Sequence, residues 1–255
     1  VSSVAADIGG VPTTHINHLT PRVLDIEELY RRMEARGIEM IDEIQGPPSW
    51  EGPDVLLRQT SFRALDEQRT FRQPDGTLGE GTLRVRFGEV EQRGIALTEK
   101  GREIYDAMLA EVDEILQRDG GDRPTVARTV WAEHLPADEL GLAERELAYF
   151  TYELAPGVTE LPTGQRACEL VASGHLVATP VVYEDFLPRS AAGIFQSNLT
   201  SAGSKDEAQS GVDFDMSRLA EICGVRIHDP YALYAAEQQD SLDAVERATG
   251  VAVRP

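Results

Sequence analysis

The chain has 255 residues, 41% of them hydrophobic, which is enough for one large or two small packed domains. Its 44 acidic residues outnumber its 24 lysines and arginines, and the net charge is −20. Such a surface repels nucleic-acid backbones and anionic membranes, and no apolar run approaches the ~20 residues of a membrane span. We therefore expect neither nucleic acid nor a membrane as a partner.

The spacing of the cysteines and the first residues of the chain give information about the cellular compartment. Cys168 and Cys223 are far apart and form no CxxC pair, so we expect neither a disulfide framework nor a zinc site. This usage favours a reducing cytoplasm. The opening VSSVAADIGGVPTT has no basic n-region, no apolar h-region and no initiator Met. We expect no signal peptide, and a chain that is processed, trimmed or part of a longer protein.

The first predicted elements are a short strand over 14–20, ended by Pro21, and a helix over 25–37. The apolar residues of the helix recur at i, i+3, i+4 and i+7. Asp25 and Glu28 form a capping-box-like start.

A strand over 55–62 and a turn over 73–81 follow, and the turn contains Asp-Gly, a strong hairpin signal. We predict one continuous strand over 82–94 and then a long helix over 98–118, whose apolar residues form one stripe. The sequence DGGDRP ends this helix. A mostly helical stretch continues to about residue 153.

The last third of the chain begins with a predicted strand pair over 174–188 and a small, polar loop. Two helices end the chain. The second has Asp229 at its N-cap, Pro230 at its first turn and Gly250 at its C-terminus. Strands first and helices later indicate an α+β fold.

Alternation along the predicted strand 82–94 draws attention to Glu89. Leu83, Val85 and Phe87 share one face, and the next residues on that face are Glu89 and Glu91. A buried carboxylate must be paired, protonated or bound to a metal, because burying it without a partner costs several kcal/mol. The alternative is that the strand end emerges into solvent and Glu89 is hydrated.

Two histidines lie on the predicted strand 14–20. His15 and His18 point to opposite faces, so at most one of them can bind a metal together with Glu89. A single histidine on a strand is more often a hydrogen-bonded structural residue than a ligand. The other three are predicted at the edges of helices, loops or strands: His134, His175 and His228.

Four blocks carry a family resemblance: HINHLTPRVLDIE, LLRQTSF, RFGEVEQRGIALTEKGR and VVYEDFLPRSAAGIFQSNL. Spanning residues 15–199, they resemble the family catalogued as domain of unknown function 1338. Its characterised members are 2-oxoadipate dioxygenase/decarboxylases, also called 2-hydroxyglutarate synthases. The resemblance implies a core like the vicinal-oxygen-chelate fold, in which βαβββ modules curl around a metal held by two His and one Glu.

This fold implies a four-part organisation. Residues 1–97 would form a metal-binding βαβββ-like module and residues 98–173 a mostly helical insertion. Residues 174–200 would return to the core as a strand pair and substrate loop. Residues 201–255 would form C-terminal helices.

The resemblance also implies metal ligands. In NHLT the family's histidine matches His18 and not His15. In FGEVEQR its glutamate matches Glu89 and not Glu91. The family's first ligand is a histidine followed four residues later by a substrate-binding arginine, and it lies upstream of this chain. We therefore expect the chain to be the C-terminal part of a longer protein.

The family's substrate contacts map to Arg189 and Ser190, within a segment over 183–199 predicted to line the mouth of the metal cavity. Arg22 and Tyr183 are further substrate-binding candidates. Family members often have a small apolar residue where Arg189 stands, so the resemblance implies altered handling of the distal carboxylate.

The implied activity is that of an Fe(II)-dependent oxygenase. It would convert 2-oxoadipate and O2 to 2-hydroxyglutarate and CO2 in lysine breakdown, with no catalytic residues beyond the metal ligands. One alternative is a vicinal-oxygen-chelate isomerase or lyase using Zn²⁺, Mn²⁺ or Ni²⁺, and another is an inactive, metal-free homologue. ALTEKGREIYD resembles a winged-helix segment, but the acidic charge and the missing basic recognition helix disfavour a DNA-binding regulator.

Overall fold

The computed structural model describes residues 21–40, 48–61, 65–85, 89–184 and 216–255. The chain divides into two compact units. Unit 1 comprises Val1–Gly46, Arg58–Gln92 and Phe186–Ile227, and unit 2 comprises Pro47–Leu57, Arg93–Asp185 and His228–Pro255. The four-part organisation stays a prediction. Within the described ranges, no helix is long and apolar enough to cross a membrane.

The fold mixes helices with small sheets, as the expected α+β class requires. In chain order the described elements are α1 (Ile26–Glu34), β1 (Leu57–Ser61), β2 (Leu65–Arg72), β3 (Leu78–Val85), β4 (Glu89–Arg93), α2 (Glu99–Asp119), α3 (Arg123–His134), α4 (Glu139–Glu144), β5 (Phe150–Leu154), α5 (Ala167–Ala172), β6 (Leu176–Pro180), α6 (Met216–Cys223) and α7 (Pro230–Thr249).

Helix α1 confirms the prediction made from its capping pattern. Asp25 is the N-cap, and its Oδ1 accepts a hydrogen bond from the Glu28 N–H at 2.9 Å. Ile26 is buried, whereas Glu28 pairs with Arg31 and Arg32 on the outer face. The helix therefore packs through one apolar side, as its periodicity predicts.

The predicted Asp-Gly turn joins β2 and β3 into an antiparallel hairpin with Leu65 opposite Val85 and Arg72 opposite Leu78. The Thr77 N–H donates to Asp75 Oδ1 at 2.9 Å, closing the turn. Hairpin and turn are confirmed.

Strands β3 and β4 both overlap the strand predicted over 82–94, and residues 86–88 between them lie outside the described residues, so its continuity stays a prediction. Strand β3 ends at Val85 and pairs with β2, whereas β4 begins at Glu89 and pairs with β1. The alternation that points Glu89 inward therefore stays a prediction.

In unit 2, an extended backbone segment over 94–98 joins three other stretches of chain. It bonds to residues 54–56, to 147–149 and to 181–183. Ile95 is bridged on both sides, in parallel to Val55 and antiparallel to Val182. This segment is therefore the centre of a sheet-like arrangement that continues into β5 and β6.

The predicted strand pair over 174–188 is described only as far as residue 184 and stays a prediction. Strand β6 pairs antiparallel with β5, and Phe150 lies opposite Pro180. Strand β5 belongs to the stretch that was predicted to be mostly helical. Its alternating burial was masked by an apolar run that fits a helix or a buried strand equally well.

The main hydrophobic core lies in unit 2 and includes the apolar stripe predicted for α2. Tyr105, Met108 and Val112 of α2 are buried against α3, and the Tyr105 ring meets Trp131 edge to face at 5.6 Å. Burial of each such large side chain stabilises the fold by about 1.5–3 kcal/mol.

Helix α7 satisfies backbone groups of β5. The Phe150 N–H donates to Gln238 Oε1 and the Tyr152 N–H donates to Ser241 Oγ, both at 3.0 Å. These N–H groups are not used in the β5–β6 ladder. The helix therefore closes what would otherwise be an open strand edge.

We predict that Gln238→Ala lowers the free energy of unfolding by about 1–3 kcal/mol, because it removes the partner of the Phe150 N–H. The neighbouring Gln239→Ala is the matched control. Gln239 bonds to Asp243 on the exposed face of α7, so its loss should cost less than about 0.5 kcal/mol. Urea unfolding of both variants measures the difference, and equal effects would contradict edge closure by Gln238.

The burial of Tyr152 predicts that the folded protein loses stability at alkaline pH. Burial, with a smaller contribution from the nearby Cys168 thiol, raises the pKa of Tyr152 to about 12. Because the folded pKa lies above the ordinary value near 10, the stabilisation is complete below pH 10 and is lost as pH rises towards 12. We expect a loss of about 2–3 kcal/mol across that window, absent in Tyr152→Phe. The difference between the two proteins in unfolding free energy against pH measures it.

Candidate functional site

The strand that begins at Glu89 is joined to the segment that follows His18 in sequence. In unit 1, the Val23 N–H donates to the Glu91 carbonyl at 2.8 Å, and the Glu91 N–H donates to the Pro21 carbonyl at 3.1 Å. Arg22 and Glu91 form a parallel bridge. Two stretches almost 70 residues apart, each next to a predicted ligand, thus run side by side in the same direction.

The side chain of Glu91 is buried, with 6% of the residue exposed. Its Oε1 lies 3.6 Å from Arg22 Nε, and the Arg22 side chain is 50% exposed. A buried carboxylate needs a cation or hydrogen-bond donors to offset its lost hydration. Glu91 therefore resembles the inward carboxylate that the sequence suggested, one position further along the face.

The next residue, Gln92, ties β4 to helix α1. Its Oε1 accepts a hydrogen bond from the Ile26 N–H at 2.7 Å. This N–H lies at the helix start and has no intrahelical acceptor. Consecutive residues of β4 thus hold both ends of the stretch between Pro21 and Ile26.

Buried polar residues are concentrated on two strands. Among the residues described, the buried polar or charged ones are Gln59 and Thr60 of β1 and Glu91 of β4, and β1 pairs with β4. The core of unit 2 is apolar by contrast. Buried polar groups need hydrogen-bond or charge partners, so these paired strands form a polar region in the described part of unit 1.

The predicted site residues are described only in part. His18, Arg189 and Ser190 lie outside the described residues, and Glu89 is placed as the first residue of β4 without its side chain. Their roles stay predictions. Arg22 is described in unit 1, on the bridge to Glu91, as stated above.

Tyr183, the other substrate candidate, is described in unit 2. It is buried, and its N–H donates to the Gly94 carbonyl at 2.9 Å. The guanidinium of Arg93 lies over its ring, 5.6 Å from the centroid, and Arg93 Nη1 approaches the Tyr183 carbonyl at 3.4 Å. Arg93 is the last residue of FGEVEQR, so the motif continues directly into this contact.

Arg93 also borders a cavity of about 330 Å³ in unit 2. The lining combines this cation with two carboxylates and apolar or small residues: Pro53, Asp54, Gly94, Ile95, Glu139, Pro180 and Val182. Its volume is at the lower end of small-molecule pockets.

A second group of metal-ligating side chains was missed by sequence reasoning. Ligand atoms of Glu111, Glu133 and His134 all lie within 4.8 Å of one another, and His134 Nε2 is 2.8 Å from Glu111 Oε2. The group is half-exposed and contains neither His18 nor Glu89. His134 ends α3, as its predicted position at a helix edge implies. Only the antiparallel packing of α2 and α3 brings Glu111 to it, and no sequence spacing indicates that.

Comparisons with known proteins agree with one another. A family model described as 2-oxoadipate dioxygenase/decarboxylase matches residues 1–198. A protein of that name from Mycobacterium tuberculosis is 50% identical over 240 residues, 94% of this chain and 49% of the relative. One from Pseudomonas putida is 40% identical over 260 residues, 95% of this chain and 53% of the relative.

Solved structures give the same result. The crystal structure of the hydroxyglutarate synthase from Pseudomonas putida in complex with 2-oxoadipate is similar with a TM-score of 0.65 and 33% identity, over 93% of this chain and 50% of that one. A Shigella flexneri protein that includes domain DUF1338 gives a TM-score of 0.63 and 30% identity, over 91% of this chain and 47% of that one. The chain thus spans about half the length of the relatives it matches.

Proposed function

Because the chain belongs to the 2-oxoadipate dioxygenase/decarboxylase family, we propose that it contributes to an enzyme converting 2-oxoadipate and O2 to 2-hydroxyglutarate and CO2. The match over residues 1–198 carries this proposal. One six-carbon 2-oxo diacid and one O2 give one five-carbon 2-hydroxy diacid and one CO2. The atoms balance without a second organic substrate. We also propose a place in lysine breakdown, in the cytoplasm, and a vicinal-oxygen-chelate-like core.

The proposed metal ligands in this chain are His18 and Glu89, with a further histidine supplied from upstream in the family pattern. Two features support a metal centre beside β4. The segment after His18 is bonded to Glu91, two residues from Glu89. The buried polar residues of the described ranges lie on β4 and its partner β1. Imidazole and carboxylate are the ligand types of non-haem Fe(II) oxygenases.

Fe(II), when bound, would supply adjacent open positions for a 2-oxo acid and O2. The residues of this chain would orient the reactants around it. His18 would donate the lone pair of a neutral imidazole nitrogen, and Glu89 would offset part of the positive charge. The proposed contacts of Arg189 and Ser190 would hold a substrate carboxylate. Arg22 and Tyr183 are kept as proposed substrate contacts.

The direct test uses full-length protein loaded with Fe(II). O2 consumption and CO2 release with 2-oxoadipate should be equimolar and should yield 2-hydroxyglutarate. Isomerisation or elimination without O2 uptake would instead indicate a vicinal-oxygen-chelate isomerase or lyase. Iron-loaded protein that turns over no C5 or C6 2-oxo acid would rule the assignment out.

We predict that His18→Ala and Glu89→Gln each reduce iron content and lower turnover by at least about 100-fold, because each removes a ligand. His134→Ala is the matched control, since it removes a histidine from the separate surface group of Glu111, Glu133 and His134. It should leave iron content and turnover within about twofold. Iron analysis of the purified variants decides between the two places, and loss of iron only in His134→Ala would refute the proposed ligands.

For Ser190 we predict a binding effect. If its hydroxyl or N–H positions a substrate carboxylate, Ser190→Ala should raise KM more than it lowers kcat, because the contact exists in ground and transition states alike. We expect a KM increase of about tenfold, the value of one hydrogen bond to a charged group. Steady-state O2 uptake against 2-oxoadipate concentration measures both constants. An unchanged KM would exclude the substrate role and leave the metal ligands unaffected.

A further inference from the structure

Glu91 is a buried carboxylate that the proposed reaction does not use. We propose that Glu91 is a positioning residue: it holds the segment that follows His18 beside the strand that begins with Glu89, and so sets the spacing of the two ligands. This inference rests on the proposed function. It concerns described residues, Glu91, Arg22 and the backbone between Pro21 and Val23.

The backbone contacts fix the alignment. Two hydrogen bonds, of 2.8 and 3.1 Å, join Glu91 to Val23 and Pro21, and the bridge at Arg22 is parallel. Chain geometry then limits the distances. His18 is four residues before Arg22 and Glu89 two before Glu91, so their Cα atoms lie within about 14 Å and about 7 Å of the paired residues. A shift of the bridge by one residue would change the length of chain that connects it to the two predicted ligands.

The side chains of the two bridged residues also stabilise this alignment. The Glu91 carboxylate lies 3.6 Å from Arg22 Nε, and the carboxylate is buried whereas half of the Arg22 side chain is exposed. The partners belong to the two residues that form the bridge. Sliding the segment by one residue would carry Arg22 to the other face and leave a buried charge without this cation, which is strongly unfavourable. The ion pair therefore selects one register.

A second contact makes the stretch rigid. Gln92 Oε1 holds the Ile26 N–H at 2.7 Å, and Asp25 caps the same helix start. The stretch is thus anchored at Pro21 and again at Ile26, by adjacent residues of β4. Its freedom to shift along β4 is small, which is what a preorganised ligand needs.

The test uses full-length protein and three variants. Glu91→Gln keeps the size of the side chain and removes the charge. Arg22→Gln removes the positive charge that pairs with Glu91. Because the Arg22 side chain is half-exposed, this variant can replace Glu91→Gln if that protein does not fold. Glu27→Gln is the matched control: it breaks an ion pair with Arg58 in the same unit and changes neither Arg22 nor Glu91. Co²⁺ affinity, the visible absorption spectrum of the Co²⁺ protein and the melting temperature of metal-free protein are measured for each.

We expect Co²⁺ binding about 10-fold weaker in Glu91→Gln and in Arg22→Gln, with an altered Co²⁺ spectrum, because the ligand geometry relaxes. The double variant should be no weaker than either single one, since both break the same pair. Glu27→Gln should bind as the parent protein does.

Two other outcomes overturn the inference in different ways. If the parent protein binds Co²⁺ and both variants keep its affinity and spectrum, even with a lower melting temperature, Glu91 is merely structural and the proposed function stands. If the parent protein binds no Co²⁺ and no Fe²⁺, the proposed metal centre fails and the inference fails with it.

Discussion

The backbone hydrogen bonding of residues 94–98 is the constraint on which unit 2 depends. This segment is paired on both sides at Ile95, and its inner residues are almost fully buried. Such close pairing leaves no room for side chains at two positions. A Cβ on Gly94 would lie 2.4 Å from the Asp54 carbonyl oxygen, and one on Gly101 would lie 2.0 Å from that of Leu147. The glycines of RGIALTEKG are therefore a packing requirement, because backbone oxygens cannot move aside as a flexible side chain can.

The same stretch of sequence serves both units. Glu91 and Gln92 bond to the stretch between Pro21 and Ile26 in unit 1, and Arg93 begins the contacts of unit 2. Five residues after Arg93, Thr98 caps α2 by accepting the Gly101 N–H at 3.1 Å. The residues that support the site, the segment at the centre of the sheet and the cap of α2 thus follow one another directly in the sequence. This density of structural tasks gives a physical reason why RFGEVEQRGIALTEKGR carries so much of the family resemblance.

Local signals predicted helices and turns well, because caps and turn residues act within a few positions. Asp25, Thr98, Asp229 and Gly250 end or begin helices as their types indicate. Strand pairing was predicted poorly. The partner of β6 is β5, more than 20 residues upstream, in a stretch that was predicted to be mostly helical. Pairing depends on contacts between distant residues, which periodicity does not contain.

The site was predicted in two ways, from the alternation of side chains along a strand and from the family resemblance. Only the resemblance chose between neighbouring candidates. Alternation counted from Leu83 predicted an inward carboxylate on a strand whose residues 86–88 lie outside the described residues. Yet a buried carboxylate does lie in β4, at Glu91. The family resemblance instead selects Glu89, and it alone separates His18 from His15. The two results fit together if β4 carries one carboxylate for the metal and one for the register of its neighbour. A strand that holds a metal ligand in a fixed position must itself be fixed relative to the neighbouring segment. A buried carboxylate paired with a half-exposed arginine is suited to this, because a misaligned register would leave the buried carboxylate without that cation.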